Sequence, residues 1–517
     1  MLGTISALAF SVIFAPLSYA QVTISEELTT EQETGGEDLT IDSTGSIILD
    51  APGTAVTLNS DNALTNQGTI SFNNVDNATG VSLEGGANRS FTNSNTIILV
   101  EDFVPEDIDS DDPDGDPFVD GDFAQGTGRT GILISGASPF EGNVELETTS
   151  VVNVEGNDSF GINLTNTPIG QTGLAGDLTN AGQINVLGTN AVGVNLAAGI
   201  TGNFENQGVI STLGQGAESI NVAADIQGGF VNSGSVINTG FRFTARPALS
   251  NDDIGTSGRD QLGEDDLFQA GSAINIGADV TQGLLFETRL EDVLDVDGNP
   301  TTDDEGNTIQ TIASISNVMQ NGSAPAVLID GNGDQIAIGL VTPITDPEDP
   351  DFVENLQFAF VNQGSIVSNG VFDDVDSTTI QVSDATLDGG LNNTGTLTAT
   401  SFVGGSPVAA ALASGTGQAR VIVFGDGAIA DEINNSGVIV ATASEATDEA
   451  FMNPDMPLAA RNVLATAIDI GSDAVVNAIE NSGGISALVV GRTGEACLLY
   501  TSPSPRDATL SRMPSSA

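Results

Sequence analysis

Carboxylates are the only abundant reactive groups in this chain. Between Gln21 and Ala496 there is no His, Cys, Lys, Tyr or Trp. Ser-His-Asp and Cys-His nucleophiles, Schiff bases and imidazole zinc sites are therefore excluded. No Gly-x-Ser-x-Gly elbow occurs either. What remains is paired-carboxylate chemistry of the glycosidase kind, or Arg acting with Ca²⁺. With 70 Asp and Glu residues, pairs fall close together by chance and none is singled out. No catalytic residue is assigned, and the chain is expected not to be an enzyme.

The densest carboxylate cluster is Asp109, Asp111, Asp112, Asp114 and Asp116, inside a stretch from Glu101 to Asp122 that carries 11 carboxylates in 22 residues and no base. Close oxygen ligands around Gly115 suggest Ca²⁺, the one cofactor considered. The helix-loop-helix calcium pattern fails, because aligning Gly115 puts Ser110 at the first ligand position and Gly121 at the closing glutamate. Asp295-Val-Asp297-Gly298-Asn299 fails similarly, and Gly331-Asn-Gly333-Asp334 is one stray fragment of a calcium β-roll. The opposing reading is a solvated acidic loop. Gly126-Thr-Gly128-Arg129-Thr-Gly131 matches the dinucleotide glycine pattern literally, but Ile132-Leu-Ile134 after it reads as a strand where a helix is required. It is expected to be the loop that returns from the acidic stretch.

The elements that must position these groups follow from a repeat: an aliphatic or aromatic residue, Asn-x-Gly, and another aliphatic. Copies sit at Asn66/Gly68, Asn180/Gly182, Asn206/Gly208, Asn232/Gly234, Asn362/Gly364, Asn393/Gly395, Asn435/Gly437 and Asn481/Gly483, with Asn93 in a copy that has Asn95 for Gly. Asn66 to Asn93 is 27 residues, Asn180 to Asn206 to Asn232 is 26 each, and Asn153 is read as a weakened copy 27 before Asn180. Between copies lies a small residue followed by aliphatic-x-aliphatic, as in Gly193-Val194-Asn195-Leu196. Both phrases alternate with period two, the signature of strands. Stacked coils of two or three short strands follow, and nine copies make a rod of at least about 40 Å. The Gly is expected at a bend with positive φ, a role Asn95 also fits. The Asn either forms an amide ladder from coil to coil or marks a surface turn only.

Insertions without strand grammar are expected near 101–128, 241–270, 287–310, 341–357, 400–417 and 442–463, as loops outside the coils. The net charge is −59, with 11 Arg and no Lys, so phosphate-mediated binding to nucleic acid is excluded. Residues 1–20 read as an export signal, with an apolar core from Leu8 to Leu17 and a small-x-small site at Ser18-Tyr-Ala20. The domains expected are this signal, a coil region over 21–496 and a tail over 497–517. That tail abandons the repeat, resembles translated sequencing-adapter DNA, and is expected to be non-native.

Export signal, Asn-x-Gly-x-Ile coils, lack of Cys, and acidic Gly/Asn/Thr-rich composition together resemble the passenger region of Gram-negative autotransporter proteins, over about Val22 to Val490. The resemblance implies an all-β fold, a right-handed parallel β-helix (β-solenoid) with long acidic loop insertions. It implies export to the cell surface, the outer membrane or the exterior through a C-terminal β-barrel, with outer-membrane assembly machinery as a partner. No girdled alternating strands of such a barrel occur near the end, and truncation is the expected reason. The function expected is adhesion to a host, neighbouring-cell or matrix surface. The alternatives are a two-partner-secreted or surface-layer structural protein and, behind these, a carbohydrate-active β-helix enzyme.

Overall fold

The computed structural model describes residues 21–86, 90–105, 121–166, 171–245, 265–294, 300–302, 308–341, 354–403, 416–445, 462–490 and 496–498. The export signal, the Asp109–Asp116 cluster, Asp295–Asn299 and most of the 497–517 tail lie outside them. The chain winds into a parallel β-solenoid whose coils stack three long sheets of 15, 14 and 12 strands. One coil shows the pattern. Leu178–Asn180 lies in the first sheet, Gln183–Leu187 in the second and Val192–Leu196 in the third. The next coil repeats it with Phe204–Asn206, Val209–Leu213 and Glu218–Val222, and each strand pairs in parallel with its predecessor. Among the described residues, twelve strands in the third sheet mean twelve complete coils, against nine legible copies, and a rod of roughly 60 Å.

Period-two alternation produces these strands because one face of each must be dry. Ile184, Ile210 and Val236 occupy one register row, Val194, Ile220 and Ile274 another, and all six are fully buried. Each such side chain contributes about 1.5–3 kcal/mol on burial. Rings of the first sheet pack likewise, with centroids 5.1 Å apart for Phe204–Phe230 within one register row and 5.0 Å for Phe286–Phe360 across two neighbouring rows. A fourth row, Phe140, Leu174, Ile200, Ile226, Val280 and Ile338, closes the gap between the third sheet and the first through short parallel pairings of one or two residues. Among the described residues no helix is long and apolar enough to cross a membrane.

Four expectations need correction. First, the bend with positive φ is not found at any repeat glycine: Gly68, Gly182, Gly208, Gly234, Gly364, Gly395, Gly437 and Gly483 all lack a left-handed φ, and so does Asn95. The glycines are there because the coil beneath comes too close for a Cβ. One added at Gly208 would lie 1.9 Å from the Gly182 carbonyl oxygen, and at Gly234 2.1 Å from that of Gly208. At Gly437 it would lie 2.1 Å from the Gly395 oxygen, and at Gly483, in the last copy, 2.2 Å from the Gly437 oxygen. Gly208, Gly234, Gly395, Gly437 and Gly483 therefore stack on the carbonyl of the repeat glycine one coil back, whereas Gly182 and Gly364 sit over the carbonyls of Ser150 and Ser316. Second, Asn153 is not a repeat copy. It lies in the second-sheet strand Val151–Glu155, paired with Ile98 and Asn185, and the first-sheet strand of its coil is Val144–Leu146. Third, the 287–310 insertion carries strands, since Thr288–Asp292 and Gln310–Ile315 pair as an antiparallel hairpin. Fourth, the insertions expected at 400–417 and 442–463 begin and end as sheet. Second-sheet strands run on to Val403 and Glu445, and third-sheet strands resume at Thr416 and Asn462.

Candidate contact surface

The repeat asparagines form a buried amide ladder at the corner between the first and second sheets. Asn180 Nδ2 donates to Asn206 Oδ1 at 2.8 Å, and Asn206 Nδ2 to Asn232 Oδ1 at 2.7 Å. Asn66 donates to Asn93, and Asn362, Asn393, Asn435 and Asn481 continue in the same sense at 2.7 Å. Each run starts with an asparagine whose Oδ1 accepts the backbone N–H two residues on, at Gly68, Gly182 and Gly364. At the other end of the last run, Asn481 Nδ2 donates to the Gly483 carbonyl at 3.3 Å. Two runs end on serine. Leu146 and Phe286 stand in register where Asn is expected, and Asn93 and Asn232 donate instead to the hydroxyls of Ser150 and Ser316. Those serines were not identified from sequence, and their signal is a hydroxyl immediately before the next second-sheet strand. A second ladder was also missed. Asn195, Asn221 and Asn275 on the outer face of the third sheet each donate to the asparagine one coil back, starting from Asn163. These ladders are scaffold.

Insertions concentrate at one corner. The segments expected near 101–128, 241–270, 400–417 and 442–463 all leave the C-terminal ends of second-sheet strands, after Val100, Thr239, Val403 and Glu445. Their described ends therefore share the corner between the second and third sheets, along roughly 40 Å of the rod.

The root of the first insertion is clamped by Arg129. Its guanidinium is buried and donates to Glu101 Oε2 at 3.1 Å, to the Val75 carbonyl at 2.9 Å and to the Glu155 carbonyl, with Asp76 at 3.4 Å. Glu101 accepts the Gln125 and Gly126 N–H groups at 2.6 and 2.7 Å. The two ends of the insertion are thus tied at Glu101 and Arg129. The strand Thr130–Ser135 follows at once, so the glycine pattern around Arg129 is the return loop and not a dinucleotide motif.

The second insertion leans onto the first. Arg242 lies 4.4 Å over the Phe123 ring and donates to the Gly121 carbonyl, while the Gly121 N–H donates to Asp265 at 2.7 Å. Phe123 and Phe268 have ring centroids 6.1 Å apart. On its other side the insertion is met by a bulge at the end of Ser365–Asp373. There Val371 adopts φ +60°, rare for a β-branched residue, and Phe372 packs edge-on to Phe241 at 4.8 Å. Between the two insertions lie coils whose corners carry none, and their corner residues Glu155, Leu187 and Leu213 form the floor of a cleft of about 270 Å³. Glu101, Phe103, Pro105, Phe123, Arg242 and Phe243 line the rest.

The five aspartates proposed for Ca²⁺ lie outside the described residues. Among the described residues no three carboxylates gather as a metal site. Three carboxyls are held above the ordinary glutamate range: Glu218 by burial, Glu287 by burial and then Glu205, and Glu432 by burial and then Glu480. Asp42 is held down at about 2 by hydrogen bonds from Ser25 and Thr44. No family pattern, curated protein or solved structure matches the chain, and a parallel β-solenoid is the fold class its described residues show.

Proposed function

We propose that this chain is a non-catalytic contact protein, exported to a bacterial surface, in which a stiff β-solenoid holds inserted segments outward for attachment to a neighbouring cell, host or matrix. The observation that carries this reading is the gathering of four insertions at one corner, two of them packed on each other around a cleft. Insertions with no role need not share a corner or bind one another. A surface of this kind is where a solenoid ordinarily makes contact. The passenger resemblance supplies the setting, export to the cell surface. Beads coated with the purified chain should attach to cells or to a matrix-protein layer more than beads coated with an inert acidic protein. Equal attachment of both beads to every surface would end this reading.

A further inference from the structure

From the bend between Phe286 and Ser316 a hairpin arm projects, made of Thr288–Asp292 and Gln310–Ile315. Backbone bonds from Val293 to Ile309, Thr301 to Val293 and Ile309 to Thr301 prolong it. Thr288 pairs with Ile315 and Leu290 with Ile312, so by alternation Leu290, Leu294, Ile312 and Ile315 share one face. Their exposures are 51, 57, 56 and 50%. Five of the fifteen large apolar side chains exposed among the described residues sit on this arm, the fifth being Ile309 on the other face. The root is fixed. Arg289 donates to Gln207 at 2.6 Å, and Thr288 bonds both the side chain and the carbonyl of Gln363.

We infer that the arm is a docking strand for a basic protein segment in extended conformation, whose aliphatic residues cover the Leu290/Ile312 face. A lone two-stranded ribbon is marginally stable, and a third strand is the usual way to complete it. Among the described residues the arm's sheet has two strands, with short pairings of Leu294 to Pro300 and Thr302 to Thr308 beyond them. No further described strand pairs with either edge along Thr288–Asp292 and Gln310–Ile315, where strand addition is sterically possible. Charge selects the occupant. From Thr288 to Ile315 the sequence has seven carboxylates and a single Arg, within a chain of net charge −59. A second copy of the chain and an anionic membrane are both repelled, whereas a segment alternating Lys or Arg with aliphatic residues is attracted. This inference rests on the contact reading and names the partner chemistry of one surface.

The test uses the full chain and a fluorescent peptide of alternating Lys and Val. Binding should be saturable and should weaken as salt rises. The double variant Leu290→Thr/Ile312→Thr, which keeps strand propensity, should bind about tenfold more weakly because two apolar contacts are lost. Its melting temperature should be unchanged. Equal binding by the variant would show attraction to acidic surface in general and overturn the inference. So would a dimer in sedimentation that the variant lacks, or Leu290-dependent uptake onto phosphatidylcholine vesicles. The same variant in the bead assay separates the two ideas. Attachment retained with peptide binding insensitive to the variant removes only the arm, whereas attachment absent from both proteins removes the contact reading.

Discussion

The Asn232 amide donates to the Ser316 hydroxyl at 2.7 Å across 84 residues of sequence, and both side chains are fully buried. In that coil Phe286 occupies the register position of the asparagine, and the chain leaves to build the arm before returning. The ladder nevertheless continues, because the returning strand brings a hydroxyl to the place where an amide oxygen stood. Ser150 does the same for Asn93 where the bend after Leu146 is lengthened. A solenoid accepts an insertion at this corner when something at the far end satisfies the amide below, since a buried donor without a partner is costly.

Ser316→Ala tests this directly. The substitution leaves Asn232 Nδ2 with only its 3.2 Å bond to the Gly234 carbonyl. A loss of about 1–3 kcal/mol is expected. Asn206→Ala removes two ladder bonds and opens a cavity, so it should cost more. Hydrogen exchange is the measurement, since loss of protection should centre on neighbouring coils, as nearest-neighbour stacking dictates.

The repeat glycines make a second test, because close approach and left-handed backbone give different answers. Asparagine tolerates the left-handed region and would rescue a glycine needed only for its φ. At Gly208 the obstacle is the Gly182 oxygen, so Gly208→Asn and Gly208→Ala should both destabilise, by about 1–3 kcal/mol or more. Thermal melts that show Asn near wild type and Ala far below it would contradict the contact explanation.

Arg129→Ala leaves Glu101 buried without its cation, and a loss of about 3–5 kcal/mol is expected from breaking such a pair. The effect should be local. Limited proteolysis should cut between Glu101 and Arg129 well before the coils, whereas the wild type resists at Gln125 and Gly126, whose N–H groups Glu101 holds.

The pH dependence has two signs. Asp42 is depressed in the folded chain, so its contribution is present above the unfolded carboxyl range and is lost as pH falls toward about 2. Asp42→Asn should therefore melt below wild type at neutral pH and approach it in strong acid. Glu287 is raised, so the stabilisation linked to its proton is present in acid and lost as pH rises through the folded value. Glu287→Gln should melt above wild type at pH 7, with the difference closing as pH falls. Melting curves of the three proteins across that range check both signs.

Strand periodicity was enough to read the fold, because a half-buried parallel strand must alternate and a repeat must stack. The asparagines from Asn66 to Asn481 were legible for the same reason. Spacing misled at Asn153, since 27 residues equals one coil yet does not say which corner of the coil a residue occupies. It also misled on the glycines from Gly68 to Gly483, because a sequence does not show how near the coil beneath lies. Ser150 and Ser316 were invisible because a hydroxyl reached by a lengthened bend has no fixed spacing from the asparagine it replaces. Arg129 was noticed only as part of a glycine pattern, although it is the first base after the acidic stretch from Glu101 to Asp122. The arm was hidden by its acidic composition, which obscured the alternation of Leu290 and Ile312.

The central claim is that the coils are scaffold and the insertions make contact. The most direct measurement is attachment of the intact chain against one in which 102–123 and 242–269 are each replaced by a short Gly-Ser turn, with Glu101 and Arg129 retained. The trimmed chain is expected to keep its β-sheet circular dichroism and cooperative melt while losing attachment. A trimmed, folded chain that attaches as well as the intact one would contradict the account.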